Sequence, residues 1–148
     1  MNRKTILLID DEQSFLEPLA DALSSEGYRI LIARTASEAL EILKQEKVDM
    51  VTIDIMLDPG EALKDKVDSH KTGLFLCEEI SRNYPHIDAF CISVISDMQT
   101  IKKVESFGIR FLRKGETPLR TVLNMLRSRL TNVAYSTELD SSLRKKYF

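Results

Sequence analysis

Val48-Asp49-Met50-Val51-Thr52-Ile53-Asp54-Ile55-Met56-Leu57 is an apolar run that delivers one carboxylate, Asp54, toward its end. A short apolar segment bounded by polar residues reads as a buried strand, and open α/β sheets bind ligands beyond the carboxyl ends of their strands. Asp54 is therefore the first candidate for chemistry. Upstream, Thr5-Ile6-Leu7-Leu8-Ile9 runs straight into Asp10-Asp11-Glu12, a second buried strand ending in acid.

Outward from these two strands the chain alternates. Phe15, Leu16, Leu19, Ala22 and Leu23 recur at helical spacing from Ser14, and Gly27 stands where that helix would stop. A short strand over 28–32 follows, then a helix capped by Thr35 or Ser37 that carries Ala39, Leu40, Ile42 and Leu43 inward. Beyond the central strand, Leu74, Leu76, Cys77 and Ile80 mark a helix closed by Asn83-Tyr84-Pro85. A fourth strand spans 89–95, an amphipathic helix 98–107 ends at Gly108, and a fifth strand over 109–113 leads to Lys114-Gly115. Thr117 is placed to cap, with Pro118 at the first helical position, a helix bearing Leu119, Val122, Leu123, Leu126 and Leu130. Five strands alternating with five helices imply an α/β, doubly wound five-stranded parallel sheet with helices on both faces.

All strand carboxyl ends of a parallel sheet lie at one edge, so Asp10 and Asp11, Asp54, Ser93 and Lys114 are expected to meet there. Carboxylates gathered in one shallow site repel one another, and a hard divalent cation relieves this. Mg²⁺ suits a few carboxylates while keeping waters for a phosphoryl ligand. With the metal and a lysine neutralising phosphoryl oxygens and a serine hydroxyl donating to another, Asp54 can attack a phosphoryl donor and become an aspartyl phosphate.

Leu7-Leu8-Ile9-Asp10-Asp11-Glu12, Thr52-Ile53-Asp54, Ile92-Ser93 and Phe111-Leu112-Arg113-Lys114, in this order at strand ends, resemble the receiver domains of two-component response regulators. The resemblance covers about residues 5–130 and implies the flavodoxin-like, receiver type of fold. It implies that Asp10 and Asp11 hold Mg²⁺ together with Asp54 and the Met56 backbone carbonyl. Asp54 would be the phosphoacceptor, Ser93 the switch hydroxyl and Lys114 the phosphate-binding lysine. Phe111 stands where the family often has a switching tyrosine, offering the ring without the hydroxyl. Implied partners are a histidine kinase or phosphotransfer protein as donor and a downstream protein or effector domain as target, with a homodimer as a further option.

The chain departs from that pattern in places. Val94 follows the switch hydroxyl where the family usually has a small residue, which would narrow access to the site. Gly115 follows the lysine where proline is usual, so a cis bond is not expected there. Gly73, the counterpart of the family's loop glycine, comes 19 positions after Asp54. About eleven residues are therefore inserted, within a loop at about 58–72 that is charged and reads as a mobile flap. The expected organisation is a receiver domain over 1–130 and a tail or extra helix over 131–148. Two other functions fit the sequence: a scaffold that binds a partner without phosphorylation, and an aspartyl-phosphate hydrolase resembling the haloacid dehalogenases. The second is opposed by Met56, which stands where those enzymes place a second acid.

Composition narrows the classes further. With 148 residues, 43% hydrophobic and 30% charged, the chain suits one domain plus a tail. A net charge of −2 and a pI near 5.7 lack the basic excess that direct nucleic-acid binding uses. The amino terminus has too short an apolar stretch for a signal peptide or a membrane span, so a cytoplasmic protein is expected. Cys77 and Cys91 read as buried thiols, and His70 and His86 show no metal-ligand spacing.

Overall fold

The computed structural model describes residues 3–64, 71–94 and 97–131. Strands and helices alternate as β1 (Thr5–Ile9), α1 (Gln13–Ser25), β2 (Arg29–Ala33), α2 (Ala36–Gln45), β3 (Met50–Ile53), α3 (Thr72–Asn83), β4 (Asp88–Ser93), α4 (Met98–Ser106), β5 (Arg110–Arg113) and α5 (Leu119–Leu130). All pairings are parallel and the strand order is β2-β1-β3-β4-β5. The order reverses direction between β1 and β3, which is where a doubly wound sheet opens a crevice at its carboxyl edge.

Side-chain alternation along each strand divides the core in two. Leu7, Ile9, Val51, Ile53 and Cys91 point to one face, against Ala39 and Leu43 of α2, Leu76, Cys77 and Ile80 of α3 and Val104 of α4. Ile6, Leu8, Met50, Phe90, Ile92 and Leu112 point to the other, against Leu16, Leu19 and Leu23 of α1 and Val122, Leu123, Leu126 and Leu130 of α5. The near-continuous apolar runs are thus explained by burial on both sides. Cys77 and Cys91 are buried free thiols, and hydrogen bonding between them together with burial pushes the Cys91 thiol well up.

Several local expectations are corrected. The third strand stops at Ile53, with a last bond to β1 from the Asp54 N–H, although Ile55 and Leu57 stay buried beyond it. Thr117 does not cap α5. Its N–H donates to the Arg113 carbonyl, and Pro118, extended at φ −59° and ψ 148°, occupies the cap position itself. Thr35 does cap α2, its hydroxyl accepting the Glu38 N–H at 3.1 Å. Ser37 has another partner, donating from both its N–H and its hydroxyl to the Pro59 carbonyl.

That last contact revises the flap. The Asp58 carbonyl accepts the Ala36 N–H, Thr35 and Asp58 form a parallel bridge, and Pro59 is buried. Gly60 (φ +86°) fits so tightly that a Cβ there would lie 2.6 Å from Ser37 Oγ, and Leu63 packs on the core. The first half of the insertion is therefore strapped to the start of α2, where exposed helical N–H groups need acceptors. Thr72 lies in α3 and is fully buried. Residues 65–70, including His70, and the expected tail beyond Thr131 lie outside the described residues.

Candidate functional site

Asp10 and Asp54 leave the sheet side by side because β1 and β3 are paired in register. The Asp54 N–H donates to the Ile9 carbonyl at 3.1 Å, and the Asp10 N–H to the Ala33 carbonyl at 3.0 Å. On the other side of β3, β4 ends at Ser93, whose hydroxyl donates to Asp54 Oδ1 at 2.8 Å in a buried contact. The same oxygen accepts the Met56 N–H at 3.2 Å, while the Met56 side chain is exposed at the rim. Lys114 follows β5 directly, and its N–H donates to the Ser93 carbonyl, fixing the base of its side chain beside β4.

Lys114 is the electrostatic centre. Its Nζ donates to Asp10 Oδ2 at 2.7 Å, to Asp54 Oδ2 at 3.2 Å and to Glu12 Oε2 at 3.2 Å, with the side chain only 6% exposed. It also lies 4.7 Å from the centre of the Phe15 ring. Burial opposes the charge on this amine, yet the Asp10 hydrogen bond, the Asp54 and Asp10 charges and the Glu12 contact outweigh it and push the lysine up to about 12. Burial raises the Asp10 carboxyl above the ordinary range, and the Asp54 charge adds to this against the pull of Lys114 and the Glu12 N–H. One ammonium thus serves several acids, and the cluster remains short of positive charge.

The carboxylate oxygens of Asp10, Asp11 and Asp54 lie within 4.8 Å of one another, with Asp10 and Asp54 buried and Asp11 exposed. A set of hard oxygen donors, buried on one side and open on the other, fits a divalent cation that keeps some of its water. Among the described residues no other acid, histidine or cysteine group gathers this way, and His86 lies exposed, its ring edge-on to Tyr84.

All five acid, hydroxyl and lysine positions expected from the sequence are brought together. Val94 is 65% exposed, so it stands at the rim and adds no packed cover. Gly115 has φ +87°, a conformation closed to proline. Phe111 is half-buried beside β4, paired with Cys91 and packed on the α3–α4 side of the core. Two participants were not foreseen. In the sequence Glu12 reads only as part of an acidic run and Phe15 only as an apolar helix position. Their contacts depend on a lysine about a hundred residues away, which local spacing does not report.

Residues 6–126 match the family model described as the response regulator receiver domain. The chain belongs to the response regulator receiver family. An NtrX-like response regulator of Rickettsia conorii is 31% identical over 108 residues, 73% of this chain and 21% of its own length. The transcriptional regulatory protein YvrH of Bacillus subtilis is 40% identical over 58 residues, 38% of this chain and 24% of its own. The chain thus spans about a fifth to a quarter of the length of these relatives. Among solved structures, the signal receiver domain of an HD domain-containing protein from Pseudomonas fluorescens superposes with TM-score 0.73 at 28% identity, covering 87% of this chain and 95% of that one. A Burkholderia pseudomallei response regulator, described with a phosphorylated aspartic acid, calcium ion and citrate, gives TM-score 0.68 at 22% identity over 95% of this chain and 74% of that one. At that identity the second likeness shows the fold.

The receiver family is a signalling switch, not a metabolic catalyst, and its members work with kinases or phosphotransfer proteins and with effector domains. Because YvrH is named a transcriptional regulatory protein, the charge argument against nucleic-acid binding applies to this chain's composition and not to its longer relatives. No helix among the described residues is long and apolar enough to cross a membrane.

Proposed function

We propose that this receiver is a phosphorylation-dependent switch in which Asp54 accepts a phosphoryl group from a histidine kinase or phosphotransfer protein. The observation that carries the reading is the meeting of Asp10, Asp54, Ser93 and Lys114 at one sheet edge, within 3.2 Å contacts that tie each to Asp54 or Lys114. Asp10, Asp11, Asp54 and the Met56 backbone carbonyl would hold Mg²⁺. When bound, Mg²⁺ supplies charge neutralisation for phosphoryl oxygens that already face a carboxylate.

An Asp54 carboxylate oxygen attacks phosphorus as the bond to the donor's leaving nitrogen breaks, so the new acyl phosphate carries three oxygens needing partners. Lys114 takes one, exchanging its carboxylate contacts for the phosphoryl group. The Ser93 hydroxyl, now bonded to Asp54 Oδ1, takes another. That movement draws the carboxyl end of β4 inward and lets half-buried Phe111 repack, which changes the α4–β5–α5 face seen by a downstream partner. Met56 holds no group able to orient a hydrolytic water, so the phosphoryl-aspartate is comparatively long-lived. We assign the receiver domain to 1–130, with an inserted loop at about 58–72.

Incubation with Mg²⁺ and acetyl phosphate, followed by intact mass, tests the proposal. One phosphoryl group is expected on the native chain and none on Asp54→Ala. No gain by the native chain while Mg²⁺ still binds overturns the switch in favour of a scaffold.

A further inference from the structure

We propose that Phe15 is a positioning residue for phosphoryl transfer, its ring face holding the Lys114 ammonium at the mouth of the acid pocket. The inference rests on Asp54 being the phosphoacceptor. Nζ lies 4.7 Å from the ring centre, well inside the reach of a cation–π attraction, and the lysine side chain is almost wholly shielded from water. Desolvation strengthens that attraction.

Among the described residues, the other contacts of Nζ are to Asp10, Glu12 and Asp54, all carboxylates. Each is an unreliable anchor during the reaction. Asp54 gives its negative charge to the new bond, Asp10 would turn to a bound metal, and Glu12 is a half-exposed side chain whose second oxygen is held by the Ser14 hydroxyl at 3.3 Å. The ring is a contact whose chemistry does not change between the resting and phosphorylated states.

Its place is also firmly set. Phe15 precedes Leu16 and lies one turn from Leu19, both fully buried, so α1 is clamped to the sheet directly beneath the ring. Lysine carries a flexible four-carbon stem with several rotamers to lose. A fixed ring that restrains Nζ therefore lowers the ordering cost at the moment the phosphoryl oxygens arrive. Leucine at this position would satisfy the helical pattern equally well, yet lacks the electron-rich face that attracts a cation.

The test follows the rate of phosphoryl gain from acetyl phosphate by intact mass, with the folding of each variant checked by circular dichroism. Phe15→Leu is expected to slow the gain about three- to tenfold and Phe15→Tyr to stay within about twofold of native. Pentafluorophenylalanine at position 15 keeps the ring but removes its electron-rich face, and is expected to behave like Phe15→Leu. A native rate for Phe15→Leu overturns the inference. So does a native rate for the fluorinated chain when Phe15→Leu is slow, because only packing would then be at work. A second readout needs no phosphorylation: the Lys114 ε-methylene protons should resonate upfield from the ring current and move downfield in Phe15→Leu, and an unchanged shift overturns the contact. Phosphoryl gain by Asp54→Ala would instead overturn the assigned phosphoacceptor, leaving the methylene shift to decide the contact.

Discussion

Substituting Gly73 by alanine tests how the phosphoacceptor is held. Gly73 is the second residue of α3, and its N–H donates to the Ile55 carbonyl at 3.0 Å. A Cβ built there would sit 2.7 Å from the Asp54 carbonyl carbon and overlap the Asp54 carbonyl oxygen and Ile55 Cα more closely still. Carbon atoms pack comfortably at about 3.5–4.0 Å, so the backbone carrying Asp54 must retreat by about 1 Å. Overpacking of this kind costs about 1–3 kcal/mol, partly offset by the roughly 0.5–1 kcal/mol that alanine gains over glycine within a helix. The larger effect falls on chemistry, because a displacement of about 1 Å at a reacting group lowers a rate about a hundredfold. Gly73→Ala should therefore fold with a modestly lower melting temperature and accept a phosphoryl group from acetyl phosphate about a hundred times more slowly. The assay is intact mass against time, with thermal unfolding on the same samples. A native phosphorylation rate would show that α3 does not set the position of Asp54.

Other perturbations follow from the same geometry. The Lys114 amine is raised from 10.5 to about 12, so its contribution to stability is complete below pH 10.5 and is lost as pH rises through about 12. Urea unfolding should show that decline in the native chain and not in Lys114→Met. Asp10 is raised by burial, the opposite case for an acid: protonation of this group favours the fold, and the gain appears as pH falls through its raised value toward 3.8. Mg²⁺ at about a hundred times its dissociation constant should add about 2.7 kcal/mol to stability, measured by thermal shift, and Asp10→Ala should lose that response. Gly60→Ala should push the strap off α2, seen as faster hydrogen exchange at the Ala36 and Ser37 amides that now donate to Asp58 and Pro59.

The fold was legible because β1 and β3, buried on both faces, leave continuous apolar runs ending in acid, with helical spacing between the strands. The limits of the third strand were not, since Ile55 and Leu57 stay buried after the last bond to β1, from the Asp54 N–H to the Ile9 carbonyl. Hydrophobicity reports burial and not hydrogen bonding. The strap is not legible in the sequence for a related reason. Its contacts with α2 run through the carbonyls of Asp58 and Pro59, which no side-chain pattern encodes. Thr117 failed as a cap because the extended Pro118 delays the helix to Leu119. At the site, residues whose chemistry is intrinsic were found by type and order, whereas Glu12 and Phe15 act only through Lys114 and became visible once β5 had been placed beside β4.

The most direct test of the central claim is to find the phosphorylated residue. The chain would be treated with Mg²⁺ and acetyl phosphate, and any acyl phosphate reduced with borohydride, which converts a phosphoryl-aspartate to homoserine. Peptides would then be sequenced by tandem mass spectrometry. Homoserine at position 54 alone is the result expected. Homoserine at position 10 or 11, or at no position despite Mg²⁺ binding, would contradict the account.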